Sequence, residues 1–115
     1  MTRLTIRIDF DKERHVGHGK IRLIEMVSNH GSISGAARAM GMSYRRAWLL
    51  LDEVNRMFSE PVVETQLGGK GGGHAKLTQF GQGLVDTYRA IETQAGRNFE
   101  RRIALLEERL ARSRD

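Results

Sequence analysis

Three short stretches of the chain carry side chains that could do chemistry. "TQLGGKGGGHAKLT", residues 65 to 78, surrounds Lys70 with five glycines. A glycine-rich loop bearing one lysine can cradle phosphate with its backbone amides and an ammonium group. "HVGH", residues 15 to 18, offers His15 and His18 as a pair that could hold a metal or a phosphate, with His74 as a third member. "SYRRAW", residues 43 to 48, sets Tyr44 beside Arg45 and Arg46, whose planar donor forks suit phosphates and guanine edges.

The first two stretches fail as catalytic sites. A nucleotide-binding loop needs G-x-x-x-x-G-K-[ST] between a strand and a helix, with the hydroxyl on magnesium. Here Gly71 follows Lys70, the first glycine of the motif is missing, and strand formers come next. HVGH resembles the HIGH signature of class I aminoacyl-tRNA synthetases, in which the two histidines stabilise a phosphate at a helix start of a Rossmann fold, but this chain lacks the repeated βαβ units and the residues to build them. No carboxylate pattern accompanies His15, His18 and His74, so turn or capping roles are expected of them. No nucleophile-elbow motif occurs either. The expectation is a protein with no catalytic residue, no metal and no cofactor.

Composition points the third stretch towards nucleic acid. Of 19 Lys+Arg against 14 Asp+Glu, fifteen are arginine, for a formal charge of +5. A surplus of that kind favours a polyanionic partner. The chain has 115 residues, 39% apolar content and a single proline, enough for one compact domain. It has no cysteine, which excludes disulfides and thiolate metal sites. Neither a leader-like run nor the roughly 20 apolar residues of a membrane span is seen. A cytoplasmic protein without a membrane contact is expected.

The elements that must position these residues can be read in order. Leu4, Ile6, Ile8 and Phe10 alternate with Thr5, Arg7 and Asp9, which predicts a half-buried strand over residues 2 to 10. After a polar turn, Ile21, Leu23, Ile24, Met26 and Val27 predict a helix over about 20 to 30, stopped by Gly31. Ser32 can cap a helix over about 33 to 40, Gly41 can end it in the left-handed conformation, and Ser43 can cap the next, to about Phe58. Ile33, Ala36, Ala37 and Met40 on one helix, and Ala47, Leu50, Leu51, Val54, Met57 and Phe58 on the other, form apolar stripes. Two helices joined so tightly must cross at a large angle, as in a helix-turn-helix. The second then presents Tyr44, Arg45, Arg46 and Leu49 to the major groove of DNA. Two arginines at a helix N-terminus have no local electrostatic reason to be there. Trp48 is expected to pack inward against the neighbouring helix.

Pro61 ends the second helix, Val62, Val63, Thr65 and Leu67 read as a strand, and Ala75 to Leu77 as its return. A hairpin over about 62 to 77, directly after a helix-turn-helix, makes a wing with Lys70 at its tip. The expected fold is mainly α with a small β-hairpin: a winged helix-turn-helix over residues 1–78 with an N-terminal strand, then a long C-terminal helix over 79–115. In that tail Leu84, Tyr88, Ile91, Ala95, Phe99, Ile103, Leu106 and Leu110 recur at steps of three or four, with Gly96 the weak point. A helix over about 79 to 112 would run roughly 50 Å. A body of about 80 residues, with a radius of gyration near 12 Å, cannot cover it. The stripe predicts a homodimer interface, or else a helix folded back at Gly96.

"GHGKIRLIE", "GSISGAARAMGMSYRRAW" and "VVETQLGGKGGGHAKLTQFGQ" together resemble the N-terminal DNA-binding domain of the ModE-type molybdate-responsive transcriptional regulators, a winged-helix group similar to the LysR family, over about residues 3 to 95. The resemblance implies that Ser43, Tyr44, Arg45 and Arg46 sit in a recognition helix, that Lys70 and its glycines form the wing tip, and that the C-terminal helix dimerises. Full-length members of that family bind molybdate in further small β-barrel domains, which these 115 residues do not contain. The expectation is a stand-alone regulator that is constitutive, senses through an unidentified effector or sensor protein, or has changed its target genes.

The expected function is therefore a homodimeric, sequence-specific DNA-binding regulator on a pseudo-palindromic duplex, with control of molybdenum-related genes as the family's implication. Arg45 and Arg46 are its base readers, Ser32 and Ser34 hold phosphate, and Lys70, Gly71, His74 and Lys76 serve the wing. The alternative is an interaction adaptor that keeps the fold and uses the long helix for another protein.

Overall fold

A computed structural model describes residues 2–66 and 73–112 of the chain. Strand β1 (Arg7–Asp9) pairs antiparallel with β2 (His15–Gly17), Ile8 standing opposite Val16. The turn between them is closed by Asp11, whose carboxylate accepts from the Glu13 and Arg14 amides at 3.0 and 2.8 Å and from the Arg14 guanidinium at 2.7 Å. Those donors, the guanidinium first, hold the Asp11 carboxyl down at about 2. The strand expected over 2 to 10 forms a ladder only at three residues, because β2 offers just three to pair with. Upstream, the Ile6 carbonyl takes a side-chain donor instead: the Tyr88 hydroxyl donates to it at 2.6 Å.

Helices α1 (His18–His30), α2 (Ile33–Ala39) and α3 (Tyr44–Met57) follow. The stops and starts are those expected from glycine and serine. Gly31 and Gly41 adopt φ of 70° and 67°, where a Cβ would be strained. Ser32 accepts from the Gly35 amide at 3.0 Å and Ser43 from the Arg46 amide at 3.1 Å. The first helix begins two residues before the expected Lys20. Ile21, Ile24 and Val27 of α1, Ala36 and Ala37 of α2, and Ala47, Leu51 and Val54 of α3 form the centre of one apolar core. The small α2 alanines let the helices approach closely.

Strands β3 (Val63–Gln66) and β4 (His74–Leu77) make the second antiparallel hairpin, with Glu64 opposite Lys76 and Gln66 opposite His74. Helix α4 (Gln79–Asn98) is capped by Thr78, whose hydroxyl accepts from the Gly81 amide at 2.9 Å and donates to the Pro61 carbonyl at 2.7 Å. A Cβ on Gly81 would lie 2.1 Å from the Val62 carbonyl oxygen, so only glycine lets α4 seat on the base of the hairpin. This is the physical content of the L-T-x-x-G run from Leu77 to Gly81. Helix α5 (Glu100–Glu107) completes the chain's described elements.

The C-terminal stripe departs from expectation in two ways. The helix runs through Gly96 and breaks at Phe99, where ψ reaches 12°, and it ends at Glu107, not near residue 112. The Phe99 amide still donates to the Ala95 carbonyl at 3.0 Å, and the Ile103 amide to that of Phe99 at 2.9 Å, so the chain does not fold back at Gly96. Tyr88, expected in the dimer stripe, is instead core: it is 2% exposed and its hydroxyl is committed to Ile6. Beside it Arg89 fixes α4 to α1, donating to both carboxylate oxygens of Glu25 at 3.1 and 2.7 Å and to Glu92 at 2.8 Å. Helix pair, capped turn and hairpin in this order form a winged helix-turn-helix.

Candidate nucleic-acid interface

The start of α3 is exposed because its first turn lies on the side away from the core-facing Ala47, Leu51 and Val54. Tyr44, Arg45 and Arg46 all stand in solvent there. Among the described residues no carboxylate pairs with either arginine, whereas further along the helix Asp52 pairs with Arg56 and Glu53 with Lys20, each at 3.1 Å. The unpaired positive charge of the helix is therefore concentrated in its N-terminal turn.

The wing stands beside that turn. Ser34 of α2, Tyr44 and Trp48 of α3, and Thr65, Gln66 and His74 of the hairpin line one shallow cleft. Three side chains proposed from sequence as DNA contacts, Ser34, Tyr44 and His74, thus come together, and Lys76 is exposed two residues along β4. Ser32 and Ser43 have their hydroxyl oxygens occupied as helix caps. Leu49 is exposed on α3 next to Arg45. Lys70 and Gly71, the expected wing tip, lie outside the described residues.

Trp48 corrects an expectation. It is 44% exposed and faces the wing cleft, because the i+4 step from Tyr44 carries it along the outer row of α3 and not the stripe of Ala47 and Leu51. Asn55 is a positioning residue that sequence reasoning missed. Its carbonyl accepts from the Val62 and Val63 amides at 2.7 and 3.0 Å while its amide donates to the Val63 carbonyl at 3.1 Å, fixing the root of β3 to α3. A polar amide at the edge of an apolar stripe was the available signal. On the far side, the Ala75 amide donates to the Gly31 carbonyl at 2.9 Å, tying β4 to the turn before α2.

The histidines separate. His15 lies in β2 with the Lys20 ammonium 3.3 Å from its ring, His18 opens α1 against Arg89, and His74 is in the wing. No group of three metal-ligating side chains occurs among the described residues. An arginine can only donate, so the His18 nitrogen 3.2 Å from Arg89 is a bare acceptor. Burial, with Arg3 and Arg89 nearby, holds the His18 ring below its ordinary pKa. Among the described residues no helix is long and apolar enough to cross a membrane.

The fold is also found in solved structures. A protein from the crystal structure of a CbnR DNA-binding domain in complex with DNA superposes with a TM-score of 0.58 at 19% identity, covering 76% of this chain and 95% of that one. No family model matches the chain. Among curated proteins, the molybdenum transport protein ModE of Azotobacter vinelandii is 37% identical over 87 residues, 76% of this chain and 32% of its own length. The chain is related to the ModE-type regulators. The ModE dual regulator of Escherichia coli K12 is 42% identical over 69 residues, 60% of this chain and 26% of its own. A molybdenum-pterin-binding protein, MopA of Rhodobacter capsulatus, is 43% identical over 77 residues, 67% of this chain and 29% of its own. The chain thus spans about a third or less of these ModE relatives.

Proposed function

We propose that the chain is a sequence-specific DNA-binding transcriptional regulator, acting as a homodimer that sets α3 of each protomer in one major groove of a pseudo-palindromic duplex. The observation that supports this most is the exposed first turn of α3, where Tyr44 lines the wing cleft with Ser34 and His74 and adjoins Arg45, with Arg46 exposed one residue on. Arg45 and Arg46 read base edges. Lys76, and Lys70 with Gly71 at the tip, contact the backbone, which positions without specifying. Residues 1–78 bind DNA and 79–115 dimerise, through Ile91, Phe99, Leu106 and Leu110, all exposed on α4 and beyond, with Leu84, Ala95 and Ile103 at the edge. Control of molybdenum-related genes is the output that the named relatives suggest, with the effector supplied by a domain or partner other than these elements.

Binding to duplexes from a random pool, followed between 50 and 200 mM salt, tests the reading. With roughly 6 to 10 phosphate contacts per dimer, affinity falls about 10³ to 10⁵ over that range. Replacing Arg45 and Arg46 together by alanine lowers affinity for the selected site at least about 30-fold, since each bidentate guanine contact is worth about 1 to 3 kcal/mol. Binding without salt dependence ends the proposal, and unchanged binding by the double variant favours an adaptor.

A further inference from the structure

The first half of α3 carries more than arginines. Tyr44 is 54% exposed, Trp48 44% and Leu49 50%, and together with Arg45 they line one surface hollow. The i, i+4 rows of a helix place Tyr44 over Trp48 on the wing side and Arg45 over Leu49 beside them. None of the three serves the core, and each leaves apolar surface in water. A surface meant only for phosphates is served by hydroxyls and cations, and gains nothing from an indole and an isobutyl group.

The strip also has a defined end. One turn beyond Leu49 come Asp52 and Glu53, carboxylates paired with Arg56 and Lys20 that a phosphate backbone would not approach. The open window is residues 44 to 49, about 8 Å of helix at 1.5 Å per residue. At about 3.4 Å per base step this spans two to three base pairs. Arg45 and Arg46 on the same turn give the window the charge of a nucleic-acid surface. Within a major groove the apolar group on offer is the C5 methyl of thymine.

Resting on the major-groove reading above, we propose that Tyr44, Trp48 and Leu49 read thymine methyl groups, so that each half-site holds thymine within one or two base pairs of the base read by Arg45 or Arg46. The methyl seats in the hollow lined by Tyr44, Trp48 and Leu49 and removes part of their exposed surface from water. This makes Trp48 a specificity-determining residue, in addition to the arginines.

The test uses the duplex recovered from the random pool, with each thymine of a half-site replaced in turn by deoxyuridine, which lacks only the methyl group. The full chain loses affinity about fourfold at one or two positions, the equivalent of about 0.8 kcal/mol for one buried methyl. Leu49→Ala and Trp48→Ala variants, whose unchanged Tm shows that they fold, bind the thymine and uracil duplexes alike. If the unaltered chain binds the duplex but does not distinguish the two bases, the inference is overturned and the DNA reading stands. Variants that keep both full affinity and the thymine preference also overturn it and hand the patch to a protein partner. Absence of any duplex binding overturns the DNA reading and this inference with it.

Discussion

Helix α3 buries Ala47, Leu51, Val54 and Met57 and turns Tyr44, Trp48 and Leu49 outward, whereas the arm made of the second half of α4 and all of α5 leaves Ile91, Phe99, Leu105 and Leu106 exposed and buries nothing in α5. Both carry apolar residues at helical spacing, yet only α3 has a body on the side its stripe faces. The boundary lies within α4: Gly81, Val85 and Tyr88 are seated in the core, whereas from Ile91 onward no described residue is fully buried and contacts are peripheral, such as the Thr2 hydroxyl donating to Glu107. An apolar stripe announces a helix with something to bury. It does not say whether the cover comes from the same chain.

The sharpest way to break this contrast is at the seated end. Gly81→Ala puts a Cβ 2.1 Å from the Val62 carbonyl oxygen, which backbone must move to relieve. It is expected to cost about 3 kcal/mol, the upper part of the overpacking range, read as a lower urea midpoint. Asn55→Ala leaves the Val62 and Val63 amides without their acceptor and detaches the wing root from α3. A loss of about 2 kcal/mol is expected, with duplex affinity falling in parallel.

Tyr88 and Leu106 compare the two halves of the stripe directly. Tyr88→Phe removes the donor to Ile6 and should cost about 1 kcal/mol of stability without altering self-association measured by sedimentation. Leu106→Lys, at a side chain 71% exposed, should leave monomer stability within about 0.5 kcal/mol and weaken self-association. The reverse pattern would place the interface at the seated end.

The smallest effect is on pH. His18 is held below its ordinary 6.5, chiefly by burial and by Arg3 and Arg89, with Glu92 opposing. The unfolded chain then binds the proton more readily, so stability falls as pH drops from about 7 through 6.5 and below. His18→Gln should flatten a Tm profile over that window. Glu25, kept charged chiefly by its bond to Arg89, adds a loss only below its ordinary 4.5.

Most of the fold was legible in sequence because its punctuation is local. Gly31 and Gly41 in left-handed conformations, and Ser32 and Ser43 as caps, act within one turn of their own position. The two stripes of the helix-turn-helix were legible for the same reason. The N-terminal strand was overread because its alternation runs from Leu4 to Phe10 while its partner is three residues long. Trp48, expected to pack against the neighbouring helix, follows the register of Tyr44 and not of Ala47. Asn55 was missed because its partners lie seven and eight residues away, across a change of element.

The sequence by itself determined helices α1 to α3, the wing strands, their order and the basic turn at Tyr44 to Arg46, since propensity, capping and periodicity act over a few residues; β2, read as part of a polar turn, and the break at Phe99 were not legible that way. Only the tertiary structure decided that Ser34, Trp48 and His74 share a cleft, that Tyr88 serves the core, and that Ile91, Phe99, Leu106 and Leu110 are left exposed. Those outcomes depend on which surfaces meet when α1, α4 and the hairpin pack, and contacts between Ile6 and Tyr88 or Glu25 and Arg89 join residues too distant in sequence for any local pattern to foretell.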